Sequence, residues 1–550
     1  MPRLARRREG GAGRLTDTAE KNLRTRGSSS LWRPLRVSIF RNLLLADVVA
    51  DVGAFMQSVG AAWLMGSLGA GPIYVALTQT AASLPYFLLA LPAGSAGDIF
   101  DRRKLVLATE TWMMGIALLL AVLTIGGLMS PWLLLGLTFL LSAGDAFETP
   151  TWRAILPELV PKDDVAAVSA LNGIEFNLAR AVGPALAGLV ITVAGVAAAF
   201  VVNCVSFFGV ILLVVRWKRP IRPRTAPAET LTGATVAAIR YVRHSPAILT
   251  VLLRTGAVMF FSSALFALLP TLARSVNKTA LGYGLLLGCF GFGAIAGALA
   301  MQSASERWST ETVVSAGVVI LGLVMVAIGG LHSLSTLAAV MLIGGTAWVI
   351  FTSLVSALVQ NLAPDWARSR VLAIFILVYQ GSYAFGTVIW GAFAQRASVR
   401  TALVYAGIGT VANIALPLFA KIPDTTADLT PSNHWRMPVV KEVGIDLAQG
   451  PVLVTIECAV VPQWTAEFVE AMHRYGRMRR RDGAYRWGIF RDTEVTNRYL
   501  EIFLVNSWAE HLRQHERQTL AGRELEGRIR GYLAGDPVVR HLVYTYTKET

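Results

Sequence analysis

Between Leu43 and Ala420 the sequence is a succession of apolar runs separated by short polar turns, each run about 20 residues or slightly longer. A helix of that length crosses about 30 Å of hydrocarbon, and a helix satisfies its own backbone polar groups where no water can. The pattern predicts twelve spans, near 43–67, 73–96, 105–128, 131–148, 168–193, 196–216, 247–273, 281–301, 312–331, 335–359, 370–395 and 400–420. No other feature constrains the fold as tightly. Composition agrees: hydrophobic residues are 54% and charged residues 15%, against about 25% charged in an average soluble domain. That excludes a string of soluble domains and a disordered chain alike. Cys204, Cys289 and Cys458 are too far apart in sequence for a disulfide scaffold or a cysteine metal or redox motif.

The basic residues set the orientation. Fifteen follow the even-numbered spans: Arg102, Arg103, Lys104, Arg153, Lys162, Arg216, Lys218, Arg219, Arg222, Arg224, Arg240, Arg243, Arg307, Arg368 and Arg370. The opposite loops hold only Arg274, Lys278, Arg396 and Arg400. By the positive-inside rule the basic side is cytoplasmic, and an even number of spans then puts both termini there. Residues 1–41 carry eleven Lys/Arg against three acids and lack the apolar core of a signal peptide, so they read as a basic cytoplasmic tail. The net charge of +15 therefore reports membrane orientation and contact with anionic lipid, and nucleic acid is not expected as a partner.

An offset of 203 residues lays Leu159-Val160-Pro161 on Leu362-Ala363-Pro364, Gly94 on Gly297, and the start of span one on that of span seven. Two six-helix halves related by duplication would give this pattern. The expected organisation is a tail at 1–41, a six-helix half at 42–216, a cytoplasmic linker at 217–246 and a second half at 247–420. A linker at 421–450 and a soluble domain at 451–550 follow.

The stretch Gly94-Ser-Ala-Gly-Asp98-Ile-Phe-Asp101-Arg102-Arg103-Lys104 resembles the signature loop of the major facilitator superfamily, with Asp101 where that family usually has its second Gly. A finer resemblance covers nearly all of 37–420. Phe147-x-x-Pro150, Leu156-Pro157-x-Leu159-Val160-Pro161, Ala170-Leu171-Asn172-Gly173, Ala179-Arg180-x-x-Gly183-Pro184-Ala185-Leu186-Ala187-Gly188 and Ala199-Phe200-x-x-Asn203 are similar to the branch containing the enterobactin exporter. The resemblance implies two halves rocking around a midplane cavity, and efflux rather than uptake. It also implies a gating role for the loop residues Gly94, Asp98, Asp101, Arg102 and Arg103, with Asp145 and Glu148. Asp98 would face the positive end of a neighbouring helix, and Arg102 would pair with Asp145 or Glu148. The plainer alternative is a solvated basic loop that serves only orientation. Many drug antiporters of the superfamily carry an Arg in span four, but Leu133–Gly144 has none.

A carboxylate near the centre of a span costs about 2.5–3.5 kcal/mol. Asp47 and Asp51, spaced i, i+4, share one face of span one; two acids on one face repel, which favours a bound proton. With Glu175 and Arg180 of span five they form the candidate proton or substrate cavity. Asp47, nearer the interface, is also explained by simple solvation; Asp51 lies a turn deeper. Arg180 stays charged, so it needs Glu175, Asp51 or Glu110 as a partner, or an anionic substrate. Gly183, Pro184 and Gly188 make a packing motif in span five: Pro184 can bend the helix and small residues at four-residue spacing let helices approach.

After Lys421 the composition changes. Residues 451–550 hold fifteen Lys/Arg and thirteen acids, so this segment reads as soluble. Alternation predicts strands at Val452–Val460, Tyr485–Phe490, Arg498–Val505 and Val538–Tyr546, and helical spacing predicts helices at Trp464–Arg480 and Trp508 to about Gly531. The order βαββαβ is that of a ferredoxin-like unit. It resembles the small dimeric α+β barrels of the antibiotic-biosynthesis monooxygenase type, on that order and on Ser507-Trp508-x-x-His511-x-x-x-His515. His511 and His515 could share a metal, but histidines at this spacing without nearby Cys or carboxylate ligands read as surface residues, and no metal is expected.

The fold class expected is an all-α polytopic membrane protein, with twelve transmembrane helices in two six-helix halves, plus a small α+β ferredoxin-like C-terminal domain. The function expected is proton-coupled efflux of a small organic molecule, such as a drug, siderophore or secondary metabolite, by a multi-pass protein of the inner (plasma) membrane. No P-loop is present. Small-molecule substrate, protons and lipid are the partners, with a homodimer through the C-terminal domain, and neither a cofactor nor a catalytic residue is assigned. The alternative is a membrane-anchored monooxygenase-like enzyme with the bundle as anchor.

Overall fold

The computed structural model describes residues 31–217, 231–364, 366–422, 428–430, 432, 435 and 446–544. Six long helices come first: α1 (Ser38–Ser67), α2 (Pro72–Ile99), α3 (Arg102–Ile125), α4 (Pro131–Ile155), α5 (Val165–Ala194) and α6 (Val196–Arg216). A short helix α7 (Leu231–Arg243) precedes the second six: α8 (Pro246–Val276), α9 (Ala280–Arg307), α10 (Thr310–Gly330), α11 (Leu334–Leu362), α12 (Arg368–Arg396) and α13 (Val399–Ala412). A 3₁₀ turn, Asn413–Leu418, extends α13. Among the described residues eleven of these helices are long and apolar enough to cross a membrane. The twelfth long helix, α4, carries Asp145, Glu148 and Arg153 in its second half, and packs on α2 and α3 within the bundle.

Local chemistry sets the helix ends. Ser130, Ser309 and Ser398 each accept a hydrogen bond from the backbone N–H three residues on, at 3.3, 3.3 and 3.0 Å, opening α4, α10 and α13. Asp101 does the same for α3 through Lys104 N at 3.1 Å. The break between α5 and α6 is a single Gly195 at φ +83°, a conformation that disfavours a side chain. Outward positions are apolar: Val193 and Leu299 are both 78% exposed, with Val205, Phe208, Leu253 and Phe385 also exposed. Such a surface suits lipid rather than water.

The halves meet along two seams. In one, α5 packs on α9 so closely that a Cβ on Gly284 would stand 2.8 Å from Gly188 Cα, and one on Gly291 would collide with Ala181. In the other, α2 packs on α12, with Thr80 and Thr387 hydroxyls 2.7 Å apart and a Cβ on Gly391 2.5 Å from that of Ala76. The shared end of both seams carries the Leu68–Gly71 and Val276–Ala280 turns, where the Arg274 guanidinium also lies 4.5 Å over the Trp63 ring.

The C-terminal region forms a four-stranded antiparallel sheet, β1 (Val452–Ala459), β2 (Arg486–Arg491), β3 (Arg498–Val505) and β4 (Val538–Val543), in the order β2-β3-β1-β4. Helices α14 (Thr465–Asp482), α15 (Trp508–Glu516) and α16 (Leu520–Gly531) complete it. The single helix expected from Trp508 to Gly531 is divided, because Thr519 accepts from Gly522 N and opens a new helix. The helix-facing side buries Val452, Val454, Phe503 and Val505, whereas Phe490, Val538 and Leu542 are exposed on or beside the other side.

This unit is docked on the bundle through α7, an amphipathic helix that the basic composition of the linker conceals. Arg240 of α7 and Arg517 both reach Glu510 Oε1 at 2.7 Å. The Arg517 guanidinium stacks 4.4 Å from the Trp366 ring, between α11 and α12, and Tyr241 OH donates to Leu362 O at 3.0 Å. Burial pushes the Glu510 carboxyl up, but Arg517 and Arg240 outweigh it and hold the group below its ordinary value.

Candidate functional site

Helix periodicity brings acids from four elements to the middle of the first half. Asp47 and Asp51 lie on α1, Glu110 on α3, Asp145 and Glu148 on α4, and Glu175 on α5. Asp47 is not merely solvated: its Oδ2 accepts a 2.7 Å hydrogen bond from Trp152 Nε1 of α4. Glu175 is buried and accepts from Asn172 Nδ2 at 3.0 Å. Asp51 lies within electrostatic reach of Glu175, and Glu110 of Glu148; Glu175 Oε1, Glu110 Oε2 and Glu148 Oε2 are buried without a hydrogen-bond partner among the described residues. Asp145 is tied within the bundle, accepting from Tyr86 of α2 and, at 3.1 Å, from Thr149 Oγ1.

Arg180 makes no ion pair among the described residues. Its guanidinium lies 4.8 Å over the Phe176 ring, with Asp51 and, across the inter-half space, Tyr379 of α12 within electrostatic reach. The acid partner expected from sequence is replaced by a ring face, which holds a cation without neutralising it. Tyr383, a turn along from Tyr379, donates to Gln79 Oε1 of α2 at 3.5 Å. Trp152, Tyr379 and Tyr383 escaped the sequence reading, and Asn172 entered it only as part of a motif, because apolar-looking or neutral residues carry little cost signal in a span. The i, i+3 spacing of Asn172 and Glu175 was the one available hint.

The gating contacts differ from expectation. Arg102 does not pair with Asp145 or Glu148; it binds Glu158 at 2.7 Å and Ala154 O at 3.1 Å. The reason is position along α4: Asp145 and Glu148 point into the bundle, whereas the 3₁₀ turn Leu156–Glu158 returns Glu158 to the start of α3. Arg103 donates to Val214 O at 3.0 Å and Val215 O at 2.6 Å, at the carbonyl end of α6, where a cation is favoured. The side chain of Asp98, with Gly94, lies outside the described side chains. In α5, Gly183 faces α1, where a Cβ would meet Phe55 Cβ at 2.6 Å, and Gly188 faces α9; Pro184 is buried between them.

In the C-terminal unit, His511 is buried, 1% exposed, rather than at the surface. Burial pushes its imidazole down to about 3. Its neighbours are His515 and His541, the latter brought from β4 by strand pairing.

A family model described as "transmembrane secretion effector" matches residues 29–549. The chain is 25% identical over 380 residues to the multidrug efflux pump Tap of Mycolicibacterium fortuitum, covering 65% of this chain and 89% of the pump. It is 25% identical over 163 residues to the staphyloferrin A transporter of Staphylococcus aureus, covering 30% of this chain and 41% of that protein. With the enterobactin exporter EntS of Salmonella typhimurium it shares 26% over 265 residues, or 47% of this chain and 62% of the exporter. The fold matches a bacterial homologue of the human lysosomal transporter Spinster in an inward-facing, unoccupied conformation, with TM-score 0.54 and 13% identity over 72% of this chain and 96% of that one. It also matches the nucleoside transporter NupG, with TM-score 0.53 and 11% identity over 69% and 98%.

Proposed function

The chain belongs to the transmembrane secretion effector family of major facilitator transporters, and from that premise we propose that it exports a small organic molecule from the cytoplasm in exchange for protons. Family and relatives are transporters, so the reading of the bundle as an anchor for an enzyme is set aside. The observation that carries the proposal is the group of acids Asp47, Asp51 and Glu175 beside Arg180, whose guanidinium meets a ring face and, among the described residues, makes no ion pair. A proton and a cationic or hydrogen-donating group of the substrate would compete for these carboxyls, which is how exchange is coupled, while Arg180 would hold an anionic or polar group. The seams close the bundle at the end opposite the basic loops. With those loops cytoplasmic, both termini are inside and the cavity faces the cytoplasm of a plasma-membrane protein.

The relatives' names supply the substrate classes to try: drugs and siderophores. In proteoliposomes, export of a panel of both is compared with and without a pH gradient. Gradient-dependent export that Asp51→Asn abolishes is the expected result. Export indifferent to both the gradient and Asp51→Asn removes proton coupling.

The strand order β2-β3-β1-β4 supports a ferredoxin-like reading of the C-terminal unit. Its exposed face with Phe490, Leu500 and Leu542 supports pairing with a second copy. Native mass spectrometry of the full chain against a Leu500→Lys variant tests this: a dimer that the variant dissociates is expected, and a wild-type monomer refutes it.

A further inference from the structure

Three imidazoles converge at one edge of the C-terminal sheet. His511 and His515 stand one turn apart on α15. His541 is on the edge strand β4, in register with Val454 of β1 and on the same helix-facing side. One ligand nitrogen from each lies within 4.8 Å of those of the other two. The Nε2 atoms of His511 and His515 are 3.3 Å apart. Two imidazole nitrogens bound tetrahedrally to one zinc ion at about 2.0–2.1 Å stand about 3.3–3.4 Å from each other. The first pair is thus already at the spacing that a shared ion requires, and the third ring needs a movement of about an ångström.

The surroundings favour a ligand over a purely structural trio. Burying a polar ring costs free energy unless its nitrogens are used, and the Nε2 of the buried His511 faces another imidazole nitrogen, His515 Nε2. The walls are aromatic: Trp508 lies 5.5 Å from the His511 ring and 5.9 Å from that of His541, and Trp435 lies 4.9 Å from that of His515. Such walls exclude water and hold the rings in place. Outside the trio itself, the charge that acts on His511 is Arg479, and Glu501 binds that guanidinium at 3.1 Å, so this cation is compensated.

We propose that His511, His515 and His541 form a three-imidazole site for a divalent first-row transition metal ion, zinc foremost, which fastens α15 to the edge strand β4. Neutral imidazoles suit such ions. Among the described residues no fourth His, Cys or carboxylate joins the group, so the fourth coordination position is open to water or to a donor atom of a small ligand. Trp435, against His515, comes from the segment that joins the bundle to this unit, so an ion here also braces that junction.

The test uses the full chain, free of any polyhistidine tag, purified in detergent and stripped with a chelator. Zinc is titrated by calorimetry, and cobalt(II) by visible absorption, which reports the coordination number. One ion per chain is expected, with the intense cobalt bands of a four- or five-coordinate nitrogen site. His541→Ala and His515→Ala are each expected to weaken binding about 100-fold or more, and His473→Ala, outside the cluster, to leave it unchanged. Zinc should also raise the melting temperature of the wild type and not of His541→Ala. His541 is on an edge strand and half-buried, so this variant keeps the test valid if replacement of His511 prevents folding. A stripped wild type that takes up no ion, or His541→Ala binding as tightly as the wild type, overturns the proposal and leaves a hydrogen-bonded trio.

Discussion

At the scale of single residues, the candidate cavity differs from a simple row of acids because each carboxyl has a different partner. Trp152 holds Asp47, Asn172 holds Glu175, and Tyr86 with Thr149 holds Asp145. Replacing Trp152 by Phe removes the donor and leaves the acid in place. A hydrogen bond contributes about 0.5–1.5 kcal/mol, so a lower melting temperature in detergent is expected. An unchanged melt would mean that Asp47 is held by something else. Arg180 calls for a different experiment, since its guanidinium meets a ring face and no carboxylate. Arg180→Gln should reduce export of anionic substrates at least about tenfold and spare neutral ones, because one lost charge-assisted bond is worth roughly that factor. Equal losses for both classes would make Arg180 structural. The acids and Arg180 could be found in the sequence because a charge in an apolar span stands out. Tyr379 and Trp152 could not, because an aromatic residue in a span has packing as a sufficient reason.

At the scale of elements, the spacing of apolar runs located the helices well, and their ends less well. Span four was expected to stop at residue 148, whereas α4 continues to Ile155 before its 3₁₀ turn. That extension moves Glu158, rather than Asp145 or Glu148, to Arg102. Spacing along one helix does not reveal a turn that doubles back, so the ion-pair partner expected for Arg102 is not the one the fold supplies. The pair predicts its own rescue: Arg102→Glu and Glu158→Arg should each lower export, and the double exchange should restore part of it. No recovery would show that Arg102 acts through the Ala154 carbonyl instead. The small-residue row of α5 has a second consequence. A leucine at Gly284 would drive into Pro184 O and Gly188 Cα, a misfit that typically costs about 1–3 kcal/mol. The same substitution at Gly136, with open space around its Cβ position, should cost little. Thermal melts of the two variants compare them directly.

At the scale of the whole molecule, two halves and an added α+β unit could be read from periodicity, the repeat offset and the drop in hydrophobicity after Lys421. How the added unit sits could not, since docking depends on α7, whose apolar face hides within a basic linker, and on residues as distant as Trp366 and Arg517. The Glu510 junction makes this docking acid-sensitive. A carboxyl held below its ordinary value contributes stability that is present above about pH 4.5 and lost as pH falls through the lower, docked value. Protease cutting between the bundle and the sheet should therefore accelerate below that pH, and Glu510→Gln should cut faster already at neutral pH. Matching rates for both proteins across the range would locate the docking elsewhere. The glycine contacts of α9 have one more consequence, a matter of leverage. Gly284 and Gly291 place the points of nearest approach to α5 in the first half of a 28-residue helix. About 24 Å of rod, at about 1.5 Å per residue, extends beyond Gly291 to Arg307. A tilt of about 15° of α9, carried with α11 on which it packs, about that fulcrum swings its far end through about 6 Å relative to α5, wide enough to pass a flat ring edge-on and too narrow for a folded chain.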